Sequence, residues 1–159
     1  MTKLKDAALR VQAAADQLGL SIAVKEMAAS TRTAEDAAAA CECTVGQIVK
    51  SLVFRGAQSG QPILLLVCGA NRVNEKRAIE FAGEKLKRPD AAYVRETTGY
   101  AIGGIPPFAH ATPLTTFIDR DLLQFDIVWA AAGTPNSLFA VAPAELAQAT
   151  GAKVVDFSA

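Results

Sequence analysis

One lysine stands where the sequence is otherwise apolar. The stretch Gly46–Arg55 reads GQIVKSLVFR, and residues of this kind fit a pleated, half-buried strand. Alternate strand residues share a face. Ile48, Lys50, Leu52 and Phe54 therefore point one way, and Val49, Ser51, Val53 and Arg55 the other. Lys50 is the polar member of an apolar face. It either snorkels to the sheet edge or projects into a cleft. In a cleft, desolvation disfavours its charged form unless an anion lies nearby. A lysine held in that way is a candidate site residue.

A second candidate is Gly103-Gly104-Ile105-Pro106-Pro107. Adjacent glycines let backbone N–H groups approach a ligand with no side chain in the way. The prolines stiffen the loop and remove competing donors. Such N–H groups can hold a carbonyl oxygen or an oxyanion. The alternative is a tight turn with no ligand. The segment lies within GYAIGGIPPFAHATP (Gly99–Pro113), which reads as a rigid loop with several special backbone positions. His110, also in this loop, is the single histidine of the chain, so a multi-histidine metal site is excluded. It reads as an exposed loop residue more readily than as a catalytic base. Neither a Walker loop nor a GxGxxG motif occurs.

These residues need elements to position them. Leu4, Ala8, Val11, Ala15 and Leu18 mark an amphipathic helix that Gly19 can end. A short strand is predicted over Ser21–Lys25. A helix follows to about Cys41, with Thr33 and Asp36 spaced as a capping box. Beyond Gly46–Arg55, the continuously apolar Ile63–Cys68 reads as a strand buried on both faces and makes a hairpin with its predecessor. Helices are predicted over Glu75–Phe81, from Pro89 to Glu96 and from Pro143 to Ala149. Strands are predicted over Lys85–Lys87, Leu114–Ile118, Ile127–Ala131, Leu138–Val141 and Val154–Phe157. Strands and helices mix without strict alternation, which favours a mixed sheet or barrel with packed helices over a doubly wound parallel sheet.

The 159 residues suffice for one domain, 1–159, opened by a helix over 1–19. Hydrophobic residues make up 51% and charged residues 20%, so the chain folds rather than stays disordered. Sixteen basic and sixteen acidic side chains give zero net charge, which argues against broad binding of nucleic acid or membrane. Within Arg72–Arg95, seven cations meet four acids, a modest basic face that could meet a phosphate backbone. Charges at Lys3, Lys5, Asp6, Arg10 and Asp16 interrupt any apolar leader or membrane span. Cys41, Cys43 and Cys68 are odd in number and badly spaced for zinc, so they are expected as reduced thiols in a cytoplasmic protein.

Taken in order, several stretches resemble the YbaK-like aminoacyl-tRNA deacylases, which include the editing domain of bacterial prolyl-tRNA synthetases. They are TAEDAA (Thr33–Ala38), GQIVKSLVF (Gly46–Phe54), ILLLVCGANRVN (Ile63–Asn74), TGYAIGGIPPF (Thr98–Phe108), AAAGTPN (Ala130–Asn136) and GAKVVDF (Gly151–Phe157). The resemblance covers roughly residues 20–158. It implies a mixed α/β domain with a curved, barrel-like sheet and flanking helices. It implies a free-standing enzyme, without cofactor or metal, that removes a small amino acid such as alanine or cysteine from mischarged tRNA for proline. Lys50 would engage the phosphate or ribose at the tRNA 3′ end. Gly103 and Gly104 would position the ester and the attacking water. Ile48, Ser51, Leu52, Phe54, Pro107, Gly133 and Asn136 would bind the substrate. Some members carry a histidine near the last turn, where this chain has Thr134, Pro135 and Asn136. The acceptor end of tRNA is the implied partner, with prolyl-tRNA synthetase or an elongation factor delivering it. The competing expectation is a non-catalytic module that binds an aminoacylated tRNA end, an aminoacyl-adenylate or a protein, since fold does not fix function.

Overall fold

The computed structural model describes residues 6–157. Leu4, Lys3 and Lys5 of the first predicted helix lie outside that range. Helix α1 (Asp6–Gln17) buries Ala8, Val11 and Ala15, the three-and-four spacing that the sequence displays. Strand β1 (Lys25–Glu26) is shorter and later than the predicted Ser21–Lys25. Helix α2 (Ala34–Cys41) starts on Thr33, whose hydroxyl accepts from the Asp36 N–H at 3.1 Å.

The hairpin is present as β2 (Val49–Gly56) and β3 (Pro62–Cys68), antiparallel from Val49↔Cys68 to Arg55↔Pro62. Its entrance differs from expectation. Val45–Gln47 form a 3-10 helix rather than strand. The Gln47 side chain fixes it, accepting from the Thr44 N–H at 3.1 Å and donating to the Ile127 carbonyl at 3.2 Å.

Then come α3 (Glu75–Ala82), capped by the Asn74 side chain, β4 (Leu86–Lys87), and α4 (Ala91–Thr98), capped by Asp90 and displaced two residues toward the C-terminus from the predicted span. The chain finishes with β5 (Thr115–Asp119), β6 (Val128–Ala131), β7 (Ser137–Val141), α5 (Pro143–Thr150) and β8 (Lys153–Val155).

Five strands order as β4-β2-β3-β5-β8, antiparallel on the β4 side and parallel on the β8 side. Central β3 is buried from Ile63 to Cys68. Its alternate residues feed two cores: Leu64, Leu66 and Cys68 pack with α1 and the Tyr100–Phe108 loop, and Ile63, Leu65 and Val67 with Phe117 and Phe157. The second sheet, β1-β7-β6, is antiparallel. The two sheets meet at one parallel bridge, Ile48–Trp129. The expected barrel-like curvature thus takes the form of two open sheets, not a closed barrel.

That opening positions the site. The Ile48 carbonyl accepts from Gly69, and the Gly56 N–H donates to Gln61, so even-numbered residues of β2 turn their backbone toward β3. Odd-numbered ones turn it outward. Trp129 covers that edge at one end and β4 pairs with Arg55 and Gly56 at the other. Between them, Ser51 and Val53 face an edge with no strand partner among the described residues.

Candidate functional site

A cavity of about 230 Å³ opens where the two sheets meet, beside the start of β2. Four pieces of chain wall it: Thr31–Ala34 at the start of α2, Ile48–Leu52, the Ile102–Ile105 loop, and Ala131 with Leu138. Most of the wall is apolar. The charged lining residues are Lys50 and Arg32, both cations. Such a wall suits a small ligand with an anionic or strongly polar end.

Lys50 is half-buried in this cavity. Its Nζ donates to the Asn71 carbonyl at 2.5 Å, which uses one of three donors and leaves two for a ligand. Burial pushes its pKa below the usual lysine range. Cys68, Glu35 and Asp119 partly restore it, and Arg72 adds to the depression. The lysine therefore projects into a cleft and does not snorkel.

Asn71 is itself anchored. Its side-chain amide donates to Asp119 at 3.0 Å and Asp121 at 2.7 Å. Asp119 is fully buried and also accepts from the Cys68 N–H at 3.0 Å and the Asp121 N–H at 3.0 Å. A chain of bonds thus runs from the end of β5 through Asn71 to Lys50. It fixes the ammonium as a supporting shell fixes any functional group. Sequence reading assigned neither residue a role. The signal was present: Asn71 lies in the CGAN segment after β3, and Asp119 is a lone acid ending the apolar run TFID.

The glycine loop forms the opposite wall. Gly103 has φ +96°, and a Cβ there would lie 2.7 Å from Arg32 Cγ. Glycine is required for both reasons. The Gly103 N–H makes no hydrogen bond among the described residues, so it is available to a ligand. Gly104 does a different job. Its N–H donates to the Ala101 carbonyl at 3.1 Å and its carbonyl accepts from the Gly133 N–H at 2.9 Å. A Cβ on Gly104 would sit 2.9 Å from the Thr134 backbone. Of the two glycines expected to offer donors, one is committed to holding the loop.

The other expected residues divide. Ile48, Ser51 and Leu52 line the cavity. Ser51 Oγ is buried without a hydrogen-bond partner among the described residues. Phe54 lies further along β2 and packs with Ile63 and Phe117 instead. Pro107 lines a separate cavity with His110 and Thr150. Gly133 does not line the cleft; it lies against Ala7 and braces Gly104 from behind. Asn136 acts on the backbone of a neighbouring segment: its side-chain amide donates to the Met27 carbonyl at 3.2 Å. With Pro135, which accepts from the Thr31 N–H at 2.7 Å, it seats the segment that carries Thr31 and Arg32 into the wall.

His110 is not an exposed loop residue. It is half-buried and its Nε2 lies 2.7 Å from the Pro106 carbonyl, a bond that neutral imidazole makes by donating. Burial lowers its pKa more than this bond raises it. It staples the loop from outside the cleft. Among the described residues, no group of three or more His, Cys, Asp or Glu is placed to hold a metal, and no helix is long and apolar enough to cross a membrane.

The model of the aminoacyl-tRNA editing domain matches residues 28–149, most of the chain and every wall of the cleft. The chain belongs to this family. The editing domain is similar to a crystal structure of a provisionally assigned trans-editing enzyme for prolyl tRNA synthetase, with 47% identity over 99% of each chain and a TM-score of 0.93. It is 34% identical to the uncharacterized protein YwhH of Bacillus subtilis, over 82% of this chain and 83% of that one. It is 23% identical to EbsC of Enterococcus faecalis, provisionally named a Cys-tRNA(Pro)/Cys-tRNA(Cys) deacylase, over 79% and 77%.

Proposed function

We propose that this editing domain is a trans-acting deacylase that hydrolyses a small amino acid, alanine or cysteine, from mischarged tRNA for proline. The observation that carries the reading is the half-buried Lys50, anchored by Asn71 in a small apolar cavity opposite the free N–H of Gly103.

The chemistry is modest in its needs. An aminoacyl ester is already activated, so hydrolysis requires an oriented water, an oriented carbonyl and charge stabilisation. Water attacks the ester carbonyl and gives a tetrahedral oxyanion. The ester C–O bond then breaks, and the ribose hydroxyl leaves with a proton from the attacking water. Lys50 supplies positive charge to the terminal phosphate or ribose, which offsets its own desolvation. The Gly103 N–H, on a residue lining the same cavity, is the donor assigned to the oxyanion. The apolar wall of Ile48, Leu52, Ile102 and Ile105 leaves room for a small side chain, at about 1–3 kcal/mol of discrimination per methylene.

The substrate class is supported by the likeness to a provisionally assigned prolyl trans-editing enzyme and to EbsC. The test is hydrolysis of alanyl-, cysteinyl- and prolyl-tRNA for proline. Rapid loss of one mischarged ester with the prolyl ester spared is expected. Lys50→Ala should lower that rate at least ~100-fold, the scale of losing one stabilising group in a transition state, with an unchanged circular dichroism spectrum. An undiminished rate in that variant overturns the assignment.

One observation favours a second reading. Among the described residues, no histidine or carboxylate lines the cavity to serve as a general base. A non-catalytic module binding an aminoacylated tRNA end would show saturable binding and no turnover in the same assay.

A further inference from the structure

The cleft continues past the proposed reaction centre. A second cavity of about 160 Å³ lies along the same uncovered edge of β2 and shares Ser51, Leu52, Ile102 and Ile105 with the first. Its far wall includes Arg88. Beside it, Arg55 and Lys87 stand directly opposite one another in the β2–β4 ladder. All three are exposed.

This cluster is expensive as a purely structural feature. Like charges directly opposite across an antiparallel pair destabilise it. Among the described residues, Arg55, Lys87 and Arg88 form no salt bridge, whereas Arg77 and Arg120 do. The neighbouring acids are occupied. Glu84 accepts from the Gln58 and Ser59 N–H groups, both at 2.9 Å, and Asp90 accepts from the Tyr93 N–H at 2.8 Å. The guanidinium groups are nonetheless held in place. Arg55 lies over the Tyr93 ring at 5.3 Å and Arg88 over the Phe54 ring at 5.7 Å. Stacking of this kind pre-organises arginine for bidentate contact with phosphate.

We propose that Arg55, Lys87 and Arg88 form the docking surface for the phosphate backbone of the RNA strand whose 3′ end enters the cleft. The inference rests on the deacylase reading for the direction of the strand. Lys50 and Arg55 are five residues apart on β2, about 16 Å in an extended strand and, at an odd separation, on opposite faces, so a strand that reaches both crosses the edge of β2 shared by the two cavities and meets the patch upstream of the terminal nucleotide. Phe54 and Arg88, outside the reaction cleft, acquire a role: the ring holds the cation at the entrance. With zero net charge overall, the patch makes the attraction local.

The test uses fluorescence anisotropy with uncharged tRNA for proline over about 50–200 mM KCl, a range in which phosphate contacts change affinity steeply. The variant R55Q/K87Q/R88Q should bind at least ~10-fold more weakly at the low end. Its slope of log affinity against log salt should fall by about 2, since each phosphate contact contributes ~0.7–0.9. The charge-preserving R55K/R88K should keep most of the slope. In deacylation, the triple variant should raise KM with kcat unchanged, and alanyl-adenosine, which lacks upstream phosphates, should be hydrolysed at the parental rate. Parental affinity and slope in the triple variant overturn the proposal, as does equal loss in R55K/R88K. Salt-dependent tRNA binding through these cations without hydrolysis of any ester would leave the docking surface standing and remove the deacylase reading.

Discussion

The two ends of the five-stranded sheet treat their polar groups in opposite ways. At the β8 side, Phe81 packs against Phe117 at 4.8 Å and edge-on against Phe157 at 5.2 Å. The charges around that cluster pair with one another. Arg120 reaches Asp156 at 3.0 Å, and Arg77 reaches Glu80 at 3.2 Å and the same aspartate at 3.9 Å. At the open edge of β2, Ser51 Oγ and the Gly103 N–H have no partner among the described residues, and Arg55, Lys87 and Arg88 have no acid. Both belong to one sheet, the first resting on β5 and β8 and the second on β2 and β4. One closes its electrostatics upon itself and serves the fold. The other leaves donors and charges open to something that is not part of the chain.

Substitutions at the two ends should therefore separate stability from activity. Phe117→Ala should cost about 3–5 kcal/mol, the usual loss for a buried aromatic, with kcat unchanged in the fraction that folds; chemical denaturation and a rate measurement on the same sample decide it. Gly104→Ala forces a Cβ toward the Thr134 backbone, which overpacking puts at about 1–3 kcal/mol. Because it displaces the loop carrying Gly103, activity should fall with it. A Gly104→Ala enzyme with parental kcat would break the link between brace and wall.

Ser51→Ala reverses the sign. Removing a buried hydroxyl without a partner should leave stability level or raise it by up to about 1 kcal/mol, while kcat/KM for the aminoacyl ester falls. Gain in both would place Ser51 with the structural end. The smallest effect concerns His110. Its folded pKa lies below the unfolded value because burial disfavours imidazolium. Below an unfolded pKa near ~6.5 the unfolded chain binds a proton that the native state refuses, so stability is full above that pH and is lost as pH falls toward the folded pKa. Denaturation midpoints from pH ~7 down to ~5 should fall more steeply in the parent than in His110→Gln, and deacylation should not follow that difference.

Much of this was legible in the chain. Lys50 announced itself by breaking an apolar strand face, and the glycine pair by its density of special backbone residues. The local elements followed from spacing and caps, as with Thr33, Asn74 and Pro143. Gln47 was not legible, because its bond to the Ile127 carbonyl spans 80 residues and no periodicity reports it. The same holds for Gly133. It reads as a pocket residue from its turn, yet its place is set by Ala7 and by Gly104, both distant in sequence.

What the sequence determined by itself was the menu of elements and the residue types able to do chemistry, because period, capping and turn preference act over a few residues. Tertiary structure decided which of them meet. It brought Asp119 and Asn71 behind Lys50, left the outer edge of β2 without a strand partner among the described residues, moved Phe54 from the first cavity to the second and put His110 behind the loop. Those outcomes depend on how two sheets join at Ile48 and Trp129, a contact between residues 81 positions apart that no local preference of the chain can specify.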